Sequence, residues 1–172
     1  QRTWQNQVRA ACRESLCDFA ERTWRRPLSA SESAGFQARL DQALDEGQSI
    51  AEAVQSSLVH LFVSPNFLYR IERGIESTPA TTDSQLRKLN DFELAARLSY
   101  FLWSSMPDAE LRAAARRGEL SDPARRIAQV RRMVRDPRIR RLATEMFGQW
   151  LGFYRFDEFS RPDADRFPEF DA

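Results

Sequence analysis

Two cysteines and one histidine are the only thiol and imidazole groups among 172 residues. They cannot by themselves build a tetrahedral zinc site or a Cys-x-x-Cys-His haem attachment. Cys12 and Cys17, placed on one continuous helix, stand about 140° apart around the axis and roughly 8 Å from each other, beyond the ~7 Å Cα limit for a bridge. They are expected not to pair with each other, which leaves free thiols or a bridge to a cysteine outside this segment. His60 lies between Val59 and Leu61 on the flank of an apolar run. Packing or hydrogen bonding in a core accounts for such a residue, and axial ligation of a cofactor or general-base work is the alternative use. Asp163, Asp165, Glu169 and Asp171 miss the Asp-x-Asp-x-Asp-Gly order of a calcium loop. The six glycines form no phosphate-cradling loop and no Gly-x-Ser-x-Gly elbow, and a nucleophile-and-base scheme has one histidine to draw on. No catalytic residue and no metal-ligand set is assigned.

Arginine offers more. Of 26 basic residues only Lys88 is lysine, a skew most simply explained by a GC-rich genome, although arginine also brings a forked donor that lysine lacks. The formal net charge is +1, but residues 112–142 hold eleven arginines against three carboxylates while residues 143–172 hold three against seven. The basic stretch can bind phosphates or an acidic partner, with Arg125, Arg126, Arg131, Arg132, Arg138 and Arg141 as interaction candidates. It can equally form the solvated faces of two amphipathic helices, answered by the acidic tail. The lack of aromatic residues for base stacking favours the second use and makes nucleic acid an unlikely partner. Arg25 and Arg26 follow a helix and can serve its terminal carbonyls.

The elements that must position these groups are helical nearly throughout. Trp4, Val8, Ala11, Leu16, Phe19 and Ala20 predict a helix from about 3 to 24, stopped before Pro27. Ser29 with Glu32 reads as a capping box for a helix over 30–46 that runs out at Gly47, and Ser49 caps a third that breaks at Ser64-Pro65. Residues 74–89 carry little apolar content and read as a linker between a module at 1–73 and a second at 90–172. There Asn90 or Asp91 caps a run to Trp103 that is apolar on most of its circumference and is expected to be centrally buried. Helices over 107–117 and 122–135 follow, then one over 137–152 whose stripe Ile139, Leu142, Met146, Phe147, Trp150 and Leu151 is expected to complete the scaffold. The chain is therefore expected to be all-α, with about six to seven helices in one or two packed helical modules and an irregular C-terminal tail. No apolar run is long enough to span a membrane.

Five stretches in order carry a resemblance: 19–28 (FAERTWRRPL), 61–70 (LFVSPNFLYR), 94–108 (LAARLSYFLWSSMPD), 148–151 (GQWL) and 167–171 (FPEFD). Together they resemble the large multidomain proteins of planctomycetes and myxobacteria that are built from domains of unknown function. The resemblance implies that residues up to about 73 match one small helical domain and residues from about 90 the front part of the next. It also implies a periplasmic or extracellular setting and a c-type cytochrome domain with haem c held elsewhere in the full-length protein, with no cofactor in this segment. Where the family more often has histidine, this chain has Asn66. The chain starts at Gln1 without a signal-peptide pattern and reads as a trimmed piece of a longer protein. The expected role is a non-catalytic scaffold or interaction module whose partners are other domains of the same polypeptide or a redox partner protein. The alternatives are part of the catalytic body of a haem-dependent oxidoreductase, with Tyr69, Trp103 or Trp150 near an electron path and His60 as candidate ligand, and binding of nucleic acid or an acidic partner through residues 112–141.

Overall fold

Ser29, Ser49 and Asn90 each stand three residues before a glutamate, and each closes a full capping box. The cap side chain accepts from the backbone N–H of Glu32, Glu52 or Glu93, and the glutamate carboxylate accepts from the cap's own N–H. The computed structural model describes residues 2–75, 88–152 and 165–166, and the described residues form helices without a strand. In the first module these are α1 (Arg2–Trp24), α2 (Ala30–Asp45), α3 (Ile50–Phe62) and the single turn α4 (Pro65–Leu68). In the second they are α5 (Asp91–Trp103), α6 (Ala109–Arg116), α7 (Pro123–Arg135) and, after a 3-10 turn at Pro137–Ile139, α8 (Arg140–Trp150). The all-α expectation holds, and the short turn α4 brings the described helices to eight.

Helix ends are as local as helix starts. After α2, Gly47 adopts φ 90°, its N–H reaches the Leu44 carbonyl and that of Gln48 reaches Ala43; after α6, Gly118 at φ 69° repeats the pattern onto Ala115 and Ala114. Both are Schellman ends, in which a left-handed residue turns two otherwise unpaired carbonyls toward donors.

Helices α1, α2 and α3 pack on one another around Leu16, Ala20, Trp24, Phe36 and Leu61, with a second layer of Leu40, Ala43 and Ala53. In the second module α5 is central and packs against α6, α7 and α8 around Leu102, Trp103, Leu111, Leu120 and Met133. Each fully buried large side chain contributes roughly 1.5–3 kcal/mol before chain entropy is counted.

Two expectations are corrected here. Helix α5 is central but not enclosed: its buried positions are Glu93, Ala95, Ser99, Leu102 and Trp103, while Phe101 is 66% exposed. The α8 stripe is buried only at its start. Ile139 and Leu142 pack on the core, whereas Met146, Phe147, Trp150 and Leu151 are exposed, Trp150 at 73%. Helical period tells which residues share a face, and neighbours decide whether that face is covered. The expected irregular tail, with Asp163, Glu169 and Asp171, and most of the expected linker lie outside the described residues.

Candidate functional site

The residues that make two helical modules one molecule lie where α1, α4 and the start of α5 meet. Arg25 leaves α1 with φ 61°, a left-handed conformation that costs an L-residue roughly 1–2 kcal/mol. Its guanidinium explains why that conformation persists. Nη2 donates to the carbonyls of Asn66 (2.6 Å), Phe67 (3.2 Å) and Tyr69 (3.1 Å), and Nη1 donates to the Tyr100 hydroxyl on α5 (3.2 Å). Arg25 therefore serves the carbonyl end of α4 rather than that of its own helix. Arg70 lies over the same Tyr100 ring, 4.8 Å from its centroid.

A second tie uses a buried carboxylate. Glu93, 9% exposed, accepts from the backbone N–H of Arg73 (2.6 Å), Gly74 (3.1 Å) and Asn90 (2.8 Å). It thus closes its own capping box and clamps the chain leaving the first module. Two further bridges cross the junction at the surface, Arg97 to Glu72 (2.6 Å) and Arg116 to Glu21 (2.8 Å). Exposed pairs of this kind contribute about 0–1 kcal/mol each.

Between these ties runs a cleft of about 370 Å³, lined on one side by Trp24, Arg25 and Arg26 and on the other by Arg70, Phe92 and Glu93. Arg26 forms a two-pronged pair with Glu32 (2.8 Å on each oxygen) and lies 5.4 Å from the Trp24 ring. The hydrogen bond from Arg26 holds the Glu32 carboxyl down at about 2, against the upward push of burial. On the far side of Tyr100 a wider groove of about 610 Å³ separates α5 from α8, with Leu98, Phe101, Leu142 and Met146 along it.

Residues 11–72 match a family described as PSD5, a protein of unknown function (DUF1595), and residues 89–172 match PSD4, a protein of unknown function (DUF1592). The two matches follow one another along the chain. No curated protein and no solved structure matches it. The resemblance read from the five motifs is borne out to this extent: two adjacent segments of unknown function, the junction cleft lying between them.

The arginine block sits within the PSD4 segment, and most of it is answered locally. Arg132 and Arg138 converge on Asp108 (2.8 and 3.4 Å) and lie 5.6 and 3.6 Å from the Trp103 ring centroid. Burial alone would raise the Asp108 carboxyl, but hydrogen bonds from Arg132 and from the Leu111 N–H outweigh it and lower it. Arg138 also holds Asp136 (2.7 Å), whose carboxyl is brought to about 2 by that hydrogen bond. Arg125 pairs with Glu119 (2.8 Å), and Arg126 and Arg141 donate to the carbonyls of Leu120 (2.9 Å) and Trp103 (3.4 Å). Arg131 is exposed and has no ion pair among the described residues. The six interaction candidates therefore do not form one free basic surface. The carboxylates that answer them are Asp108, Glu110, Glu119, Asp122 and Asp136, close in sequence to their partners.

Other candidates are dispersed. His60 is exposed rather than in the core, edge-on to Phe36 at 6.2 Å, and lines neither cleft. Partial burial and the nearby Arg39 charge lower its pKa. Both cysteines are half-buried and, as expected from their helical spacing, do not pair with each other. Trp103 is fully buried, its Nε1–H donating to the Met133 carbonyl (3.0 Å), whereas Tyr69 and Trp150 are exposed. No group of His, Cys, Asp or Glu fit to hold a metal occurs among the described residues, and no helix there is long and apolar enough to cross a membrane. Sequence reasoning missed Glu93 and Tyr100. For Glu93 the signal was present, since Asn90-x-x-Glu93 is a capping box; its second use, gripping the Arg73 and Gly74 amides, has no signature.

Proposed function

We propose that the chain is a non-catalytic helical scaffold within a larger, exported, cytochrome-associated protein, and that it presents the face between α5 and α8 to another domain of the same polypeptide. The observation that carries this reading is the uncovered apolar surface of Phe101, Met146, Phe147, Trp150 and Leu151 beside the α5/α8 groove. A contiguous patch of this kind on a folded module marks an interaction site more often than idle surface. The junction supports the same reading, because Arg25 and Glu93 hold the face at a set angle to the PSD5 segment. Export and haem c elsewhere in the polypeptide belong to the proposal through the resemblance of the five motifs.

The test compares hydrogen exchange in the 172-residue chain with that in the full-length polypeptide. Amides of α8 are expected to exchange at least tenfold more slowly in the full-length protein, and Met146→Glu with Trp150→Glu is expected to abolish the difference. Equal exchange in the two proteins sinks the proposal. Supplying haem to the 172-residue chain is expected to give no stoichiometric Soret band; a band lost in His60→Ala would favour the oxidoreductase reading instead.

A further inference from the structure

The charged side chains lining the α5/α8 groove are Arg70, Arg97 and Glu145. Both arginines are already answered. Arg97 grips the two oxygens of Glu72 (2.7 and 2.6 Å), and Arg70 lies over the Tyr100 ring with the same Glu72 charge close to it. Glu145 is exposed on α8 and has no hydrogen bond or ion pair among the described residues. Arg141, one turn earlier on the same helix, donates instead to the Trp103 carbonyl (3.4 Å). The apolar residues beside Glu145 fall in two rows at a spacing of four, Leu142-Met146-Trp150 and Ala143-Phe147-Leu151, and of these only Leu142 is half-buried. Two such rows with a furrow between them form the surface into which the rows of another helix fit, crossing at about −50°. An extended partner has no such fit, because α8 spends its backbone N–H and C=O groups within the helix and leaves no ladder to extend.

We propose that the α5/α8 face is covered by an amphipathic helix that sets an arginine or lysine against Glu145. The inference rests on the reading that this face docks another domain, and it states what that domain brings. Covering the groove takes the Glu145 carboxylate out of water, and a desolvated carboxylate without a cation is strongly unfavourable. A wholly apolar helix is therefore disfavoured, and an acidic one more so. With Arg70 and Arg97 engaged at Glu72 and Tyr100, the counter-charge has to come from the occupant. The apolar rows of α8 supply affinity, and Glu145 supplies choice of partner and register.

The experiment follows hydrogen exchange in the full-length polypeptide and in the 172-residue chain, each as wild type, Glu145→Leu and Glu145→Lys. In the full-length protein both substitutions are expected to speed exchange of the α8 amides at least tenfold, because the partner's cation loses its counter-charge or meets a like charge. In the 172-residue chain neither is expected to change that exchange more than twofold. A partner without the cation gives the opposite sign for Glu145→Leu, slower exchange in the full-length protein, and that result or no change overturns the proposal while leaving the covered face intact. Equal exchange in the two wild-type proteins overturns the proposal together with the reading it rests on. Phe147→p-benzoylphenylalanine, irradiated in the full-length protein, is expected to label residues three or four apart elsewhere in the same polypeptide. Labels at alternate residues, as on a strand, or on α8 of a second molecule overturn the proposal.

Discussion

Two buried tryptophans divide the molecule's logic. Trp103 in the second module is fully buried, donates its N–H to Met133, and carries two guanidinium groups on its ring. Trp24 in the first module is almost as buried, has one guanidinium near its ring and no acceptor for its N–H. The indole of Trp103 is satisfied from every side by its own module, and the arrangement around it is structural: Arg132 and Arg138 are held in place by Asp108 and Asp136. Trp24 sits at the edge of its module, where α5 contributes the facing wall. The contrast teaches that two core indoles of similar burial can differ in whether the polar atom is paired within its own module.

The largest expected effect tests the Trp103 side of the comparison. Trp103→Ala should destabilise the second module by about 3–5 kcal/mol, since it opens a large cavity and removes the indole donor to the Met133 carbonyl and the ring against which two arginines lie. Hydrogen exchange resolved by residue should show α5, α6 and α7 losing protection well ahead of α1, α2 and α3. Uniform loss over both modules would mean that the junction, rather than each core, governs stability.

An intermediate effect tests that junction directly. Glu93→Gln keeps the shape of the side chain but removes the charge that three N–H groups share, and hydrogen bonds to a charged group contribute roughly 1.5–3 kcal/mol. The loss of protection should concentrate at the amides of Arg73, Gly74 and Asn90, leaving the surroundings of Trp103 and Trp24 unchanged. If the amides of Arg73 and Gly74 keep their protection in the variant, Glu93 is only a helix cap.

The smallest effect is a pH dependence that both modules share. Glu32 beside Trp24 has its carboxyl lowered from 4.5 to about 2 by Arg26, and Asp136 beside Trp103 has its own lowered from 3.8 to about 2 by Arg138. Depressed carboxyls stabilise the folded state above their unfolded values, and that contribution disappears as pH falls toward 2. The difference in melting temperature between the wild type and Glu32→Gln should therefore be full at pH 6 and shrink between about pH 4.5 and 2. Both groups lie near the surface, so the effect is small. A difference that stays constant over this range would show that Glu32 acts only as a capping residue.

Much of the scaffold was legible without coordinates. Ser29, Ser49 and Asn90 announce helix starts because a capping box is satisfied within four residues, and Gly47 announces an end because a left-handed position favours glycine. The thiol geometry was equally local, since a five-residue spacing on one helix forbids the bridge. The candidate site was not legible, for reasons visible in single residues. Arg25 looked like a cap for its own helix, yet its guanidinium finds better acceptors forty residues onward. The arginines of 112–141 were expected to be solvated helix faces answered by the acidic tail, yet the carboxylates that answer several of them are nearer, Asp108 and Asp136 each serving as an N-cap and as a salt-bridge acceptor. The stripe on α8 was read correctly as apolar and incorrectly as covered.

By itself the sequence determined an all-α chain, its helix ends, and that Cys12 and Cys17 do not pair with each other, because these depend on interactions closed within a turn or two of backbone. Tertiary structure alone decided that Arg25, Tyr100 and Glu93 meet, that Trp103 is paired while Trp24 is not, and that the α5/α8 face stands open. Those outcomes depend on contacts between residues tens of positions apart, where direction and distance are set by packing and leave no period in the chain.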